Sequence, residues 1–158
     1  MVSKKSVIFI GVGGVGKTTL VWRLIGLSLT PHATQRPGVY RIYHNGQIYE
    51  LIDVPGQHAT EVAQAAARSM TVFFDRAFLM YDLTRLDTLT ALYDIMEHLC
   101  VFSRCLSAKE VWVVGNKRDL AEKFGVEYEP DFKLLKAQRY VKISALYDDS
   151  WTLSALLP

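Results

Sequence analysis

The chain has 158 residues, a length that suits one domain with a sizeable core. Half of the residues are hydrophobic and 22% are charged, which excludes a disordered or low-complexity chain. The net charge of +2 is too slight to argue for a nucleic-acid partner.

No stretch approaches the length of a membrane span. Met1-Val2-Ser3-Lys4-Lys5 lacks the features of a signal peptide, and its apolar continuation is broken at Gly11. Val2 excludes N-myristoylation, and Leu156-Leu157-Pro158 is no prenylation motif. The expectation is a single cytoplasmic domain over residues 1–158 with no membrane anchor. Cys100 and Cys105 lie five residues apart in a helix-like stretch, where their side chains do not share a face. Two reduced thiols are expected there, without metal-ligand spacing.

Strand-like and helix-like segments alternate along the chain, which predicts an α/β fold with a largely parallel sheet. The first strand is expected over about 5–10 and the first helix over about 17–27, followed by a Pro- and Thr-rich loop at 28–37. Val39–His44 and Gln47–Asp53 flank Asn45-Gly46, a pair that tolerates positive φ at both turn positions and so predicts an antiparallel hairpin. Further strands are expected at Phe78–Tyr81, Val111–Val114 and Tyr140–Ile143. Helices are expected near 59–70, 86–104, 130–138 and 148–157. Leu89, Leu92, Met96 and Leu99 recur at spacings of three and four, which makes one face of the helix 86–104 apolar. The predicted architecture has three layers: six strands, one an antiparallel edge strand, with helices on both faces. Ligands in such sheets bind at the carboxyl ends of the strands.

Gly11-Val12-Gly13-Gly14-Val15-Gly16-Lys17-Thr18 fits G-x-x-x-x-G-K-[ST], with a buried-strand run before it and a helix-like stretch after. The glycines let successive N–H groups turn inward and form a concave nest for a polyphosphate at a helix N-terminus. Lys17 would set its charge against the β- and γ-phosphates, and Thr18 would offer a hydroxyl to Mg²⁺, with Thr19 beside it. These residues specify a nucleoside triphosphate and leave the base open.

Asp53-Val54-Pro55-Gly56-Gln57 closes the third strand. A carboxylate there can hold Mg²⁺ from the side opposite Thr18. The Gly56 N–H can approach a γ-phosphate, and loss of that contact after hydrolysis would release the loop. Gln57 has both a donor and an acceptor with which to orient an attacking water. Asn116-Lys117-Arg118-Asp119 follows the strand at 111–115. The Asp119 carboxylate can accept from guanine N1–H and N2–H₂, a donor pair that adenine lacks. Lys117 can lay its stem over the base, and Asn116 can tie loops together. Ser144-Ala145-Leu146 follows the last strand, where small residues let the Ala145 N–H reach guanine O6.

These four blocks, in this order, resemble the Ras-like small GTPases of the phosphate-loop superfamily, and the resemblance spans nearly the whole chain. It implies GTP and GDP binding, Mg²⁺ dependence, slow hydrolysis with Lys17 and Gln57 in catalysis, and a two-state switch. Gly13 falls where, in that family, a side chain obstructs an incoming arginine finger. The family also implies a threonine in the first mobile loop that closes on Mg²⁺. Arg36-Pro37-Gly38-Val39-Tyr40 has none at the expected place; Thr34 is the favoured candidate and Thr30 the next. The Pro-Gly-Val run is similar to bacterial-type G domains, including those of ferrous-iron transporters, where a threonine follows the valine; here it is Tyr40.

The mobile segments 28–40 and 54–75 are the expected contacts for a protein effector and regulators. The second contains Ala59, Ala63, Ala65, Ala66 and Ala67 and then Met70, Val72, Phe73 and Phe74, read most plainly as core under the sheet edge and otherwise as a nucleotide-gated surface. Arg36 has the chemistry of a cis arginine finger, although a solvated loop arginine is the plainer reading. Three functions remain in order of support: a GTP-hydrolysing switch, a guanine-nucleotide binding module with little turnover, and a phosphate-loop ATPase or nucleotide kinase. Asp119 counts against the last.

Overall fold

The computed structural model describes residues 3–28, 38–54, 73–100 and 107–158, with only the backbone described at 98–100. The chain order is β1 (Lys4–Ile10), α1 (Lys17–Ile25), β2 (Val39–His44), β3 (Gln47–Asp53), β4 (Phe74–Asp82), α2 (Leu86–Cys100), β5 (Ala108–Asn116), α3 (Arg118–Phe124), α4 (Phe132–Leu135), β6 (Arg139–Lys142) and α5 (Ser150–Ser154). The sheet has six strands in the order β2-β3-β1-β4-β5-β6. Only the β2–β3 pair is antiparallel, so β2 is the expected antiparallel edge strand. Its turn uses Asn45 at φ 49° and Gly46 at φ 75°, the positive-φ pair that the sequence predicts.

The inner strands read as unbroken apolar runs because both of their faces are covered. Alternate residues serve opposite layers. On one face Ile8, Leu79, Tyr81 and Val113 pack with Leu89, Leu92 and Met96 of α2. On the other, Phe9, Phe78, Met80 and Trp112 pack with Leu20, Val21 and Leu24 of α1 and Leu153 of α5. Leu89, Leu92 and Met96 of the apolar stripe are therefore core, as their spacing predicts, while the side chain of Leu99 lies outside the described residues. From the aromatic run before β4, Phe74 is buried while Phe73 is exposed; Met70 and Val72 lie outside the described residues.

The elements depart from expectation mainly in length. α1 stops at Gly26, and α5 is one turn long from its cap at Asp149, whose carboxylate accepts from the Thr152 N–H at 2.7 Å. α4 is likewise one turn, capped by Asp131. α3 was not foreseen as a helix; its seven residues are too few for a period to show, but Gly125 at φ 66° ends it as a helix-end glycine. The expected helix at 59–70, residues 101–104 of the expected 86–104 helix, and Cys105 lie outside the described residues.

At the end of the sheet where β4 begins, Arg76 is buried and holds the C-terminal segment. It donates to the Leu156 carbonyl, lies 3.2 Å from Glu110, and sits 3.8 Å over the Trp112 ring. The chain passes from β1 to the edge strand β2, returns through β3 beside β1, and then crosses β1 to β4, β5 and β6. That reversal opens a crevice at the carboxyl end of β1, which is where Gly11 begins.

Phe78 is fully buried between Phe9, at a centroid distance of 5.3 Å, and Trp112, at 5.9 Å edge-on. Phe78→Ala should cost about 3–5 kcal/mol, read as a lower midpoint in urea unfolding.

Candidate functional site

The phosphate-loop residues are shaped by contacts that admit no side chain. A Cβ on Gly11 would meet the Met80 carbonyl at 2.5 Å, so the chain can leave β1 this close to β4 only as glycine. Gly14 and Gly16 take φ +84° and +93°. Gly16 is the N-cap of α1, no side chain caps that end, and no acidic residue occupies the first turn. The leading N–H groups and the positive end of the helix dipole therefore face outward as an anion-binding end. They border a cavity of about 570 Å³. Val12, Gly13, Gly14, Gly16, Lys17, Thr18 and Thr19 form one wall, Gly38 and Asp53 the facing one, and Lys117 a third side. The side chain of Val15 turns away into the core.

Lys17 is 6% exposed and donates to the Val54 carbonyl; its Nζ lies 3.6 Å from Asp53 Oδ1. Burial outweighs the pull of Asp53 and holds its ammonium below the ordinary lysine range. An anion in the cavity acts in the opposite direction. Thr18 Oγ1 donates to Asp53 Oδ2 at 3.2 Å. Asp53 Oδ1 is buried and accepts no hydrogen bond, a coordination position left open in a site that already holds a hydroxyl beside a carboxylate. The loop at 38 and the end of β3 are joined, since the Asp53 N–H donates to the Gly38 carbonyl at 2.7 Å.

The N-K-R-D and S-A-L residues converge on the other side of the loop. Asn116 Nδ2 donates to the Val15 carbonyl at 2.8 Å, and its Oδ1 accepts from the Ala145 N–H at 2.9 Å. A Cβ on Gly16 would lie 2.2 Å from Asn116 Nδ2, so the glycine also makes room for this amide. Lys117 takes a left-handed backbone at φ 64°, which turns its side chain back onto the Gly14 carbonyl at 2.7 Å and to 3.2 Å from Asp82. Burial pushes the Asp82 carboxyl up, but Thr84 and Lys117 donate to it and hold it below the usual carboxylate range. Asp119 Oδ1 accepts from the Ser144 hydroxyl at 2.8 Å, which fixes the carboxylate toward the loop at 144–146. The Ala145 N–H, expected for guanine O6, is engaged by Asn116 within the chain. The Leu146 side chain is exposed.

Sequence reasoning passed over the groups that hold this loop in place. Arg23 of α1 donates to the carbonyls of Ala145 at 2.9 Å, Leu146 at 3.1 Å and Asp148 at 2.5 Å. Arg118 is ion-paired with Asp148, whose Oδ2 accepts from the Ser144 N–H at 2.9 Å. Nothing in the sequence spacing signals a partnership between residues 23 and 145. Asp82, a carboxylate ending a strand beside Asn116, did carry a signal of the same kind as Asp53. Thr30, Thr34, Arg36, Gly56 and Gln57 lie outside the described residues. Asn116→Ala would strand the Val15 carbonyl and the Ala145 N–H in the interior. It should cost the ligand-free chain roughly 1–3 kcal/mol in urea unfolding.

Comparison with known proteins bears on the fold. The solved FeoB G-domain from Methanococcus jannaschii is 20% identical, covers 98% of this chain and 93% of its own, and superposes with a TM-score of 0.65. The cytosolic domain of the T. maritima FeoB iron transporter in its GMPPNP form is 21% identical over 98% of this chain, with a TM-score of 0.68. The GDP form II of that domain gives 20% and 0.66. This chain spans 61% of the T. maritima one. At these identities the likeness is one of fold. No curated protein matches the chain. The family profile of the 50S ribosome-binding GTPases matches residues 6–117, well over half the length, and the chain belongs to that family of phosphate-loop G domains.

Proposed function

We propose that residues 1–158 form one Ras-like guanine-nucleotide switch that binds GTP and GDP with Mg²⁺ in the cytoplasm and hydrolyses GTP slowly. The observation that carries the reading is convergence. An uncapped helix N-terminus with Lys17, a Thr18–Asp53 pair and an Asp119 carboxylate braced by Ser144 meet around one end of the sheet. The roles follow from the groups. Gly13, Gly14, Val15, Gly16, Lys17, Thr18 and Thr19 enclose the phosphates with backbone N–H groups. Lys17 opposes their charge and gives up the Val54 carbonyl to do so. That exchange links phosphate binding to the start of the second mobile segment. Asp119 selects guanine, Lys117 borders it, and Asn116 with Ser144, Ala145 and Leu146 closes the base end. Gly56 contacts the γ-phosphate, and Gln57 orients the attacking water.

The residues present fit a divalent cation. Thr18 Oγ1 would bind it directly and Asp53, whose Oδ1 accepts no hydrogen bond, would hold it through water, with Thr34 as the third residue of the set. Among the described residues no three His, Cys, Asp or Glu side chains cluster as a metal cage, so phosphate oxygens and water complete the shell. Bound Mg²⁺ would neutralise charge on the phosphates as the terminal bond breaks.

Single-turnover GTP hydrolysis with Mg²⁺, run beside ATP and beside EDTA, tests the reading; turnover of ATP in preference to GTP would refute it. Lys17→Ala should abolish tight GTP binding in equilibrium titration. Asp119→Asn should weaken GTP by about 10–100-fold without weakening ATP, because it breaks charge-assisted bonds to guanine alone. Gln57→Leu should slow turnover and leave GTP affinity intact.

A second reading, a binding module with little turnover, rests on Tyr40. It stands where a threonine would follow the valine, and it lies in β2 with its ring 5.9 Å from that of Trp22 on α1. An unchanged single-turnover rate in Gln57→Leu would favour this reading.

A further inference from the structure

Arg85 stands beside Gly14 of the phosphate loop, with no role in the site as described so far. It lies in the turn between β4 and α2, and its backbone is fixed on both sides. Its N–H donates to the Asp82 carbonyl at 3.0 Å, and its own carbonyl accepts from the Thr88 hydroxyl at 2.7 Å. Asp82 in turn receives Lys117. The anchor of the arginine is thus part of the cluster that positions the base-end lysine. From there the side chain reaches the phosphate loop. Its Nη1 is 4.0 Å from the place that a Cβ on Gly14 would take, the nearest atom to that position, while Gly13 beside it has nothing within 4 Å. Gly14 is therefore flanked by two cations, the Lys117 ammonium on its carbonyl and the Arg85 guanidinium on its open side.

We propose that Arg85 is a further phosphate-binding residue. Its guanidinium pairs with Asp87 and would transfer to the polyphosphate when a guanine nucleotide enters, a step that rests on the nucleotide reading above. The Asp87 contact is real but shallow. Arg85 Nη2 lies 2.7 Å from Asp87 Oδ2, and the two side chains are 54% and 66% exposed. Exposed pairs of this kind contribute little, whereas a guanidinium on a phosphate makes parallel charge-assisted bonds to a group of higher charge. A nucleotide phosphate beside Gly14 outcompetes one solvated carboxylate for the same fork. Asp87 also occupies the first turn of α2, so its carboxylate is held on a rigid element rather than drifting with the arginine. The Lys17 ammonium is committed to the Val54–Asp53 side of the cavity and the Lys117 ammonium to Gly14 and Asp82. Of these three cations Arg85 is the one whose counter-charge is solvent-exposed, so its ion pair is the most readily exchanged.

The opposing signs expected at residues 85 and 87 make the test. Release of a fluorescent GDP analogue is followed by stopped flow from the full chain with Mg²⁺, at low and at high salt. Arg85→Ala should release it about tenfold faster at low salt, with Arg85→Lys between it and the wild type, and the gap should narrow at high salt. Asp87→Ala should release it more slowly than the wild type, because the competing carboxylate is gone. A merely structural Arg85–Asp87 pair would shift both alanine variants the same way; that result, or an unchanged rate in Arg85→Ala, overturns the assignment. A wild-type chain that takes up no guanine nucleotide would overturn the reading beneath it as well.

Discussion

The carboxamide of Asn116 is the contact on which the rest of the site depends. One side chain at the end of β5 donates to Val15 in the phosphate loop and accepts from Ala145 after β6. Three segments far apart in sequence are thereby fixed to one another by a group that is itself 3% exposed. The amide both donates and accepts, so a carboxylate, which only accepts, could not serve both partners. The sheet delivers these segments to the same end, but strand pairing alone leaves loops free to drift. The amide converts a shared neighbourhood into a fixed spacing between where phosphates and base would lie.

Around that bridge the fold accepts local costs. α1 starts without a side-chain cap, an omission that with glycine at the N-cap costs roughly a few tenths of a kcal/mol. Lys17 is buried against an unfavourable desolvation, and Asp53 keeps an unsatisfied oxygen. Lys117 holds a left-handed backbone that a lysine does not prefer. The first three fall on polar or charged groups that a bound anion or cation would engage, and the fourth brings the Lys117 ammonium onto Gly14 and Asp82. The remainder of the molecule offsets them through two apolar layers packed on the faces of the sheet. Departures from ordinary folding rules thus gather at the carboxyl end of the sheet, as expected where a site has been built at the expense of stability.

The sequence disclosed the parts of this arrangement that are written in local pattern. The strand runs, the Asn45-Gly46 hairpin, the glycine loop and the strand-end carboxylates have fixed short-range spacings, and the sheet order follows from alternation. Helix lengths were less legible, because the ends of α1 and α5 are set by capping and by packing rather than by period. What remained hidden was long-range: Arg23 reaching three carbonyls after β6, and Asp148 receiving Arg118, are pairings that only the closed sheet creates. Arg23 sits on the same helix that starts at Lys17, so α1 is a strut between the two ends of the site, a role that its amphipathic pattern does not advertise.

The glycines of the phosphate loop differ in what they tolerate. At Gly16 and Gly11 a Cβ collides with Asn116 or with the Met80 carbonyl, so substitution is removed by misfolding. At Gly13 a Cβ meets nothing among the described residues and the backbone is not left-handed. The packing therefore does not by itself demand glycine there, and a methyl group is admitted without a clash. Because position 13 lines the cavity, a side chain added there would narrow the cavity and leave the layers beneath it unchanged.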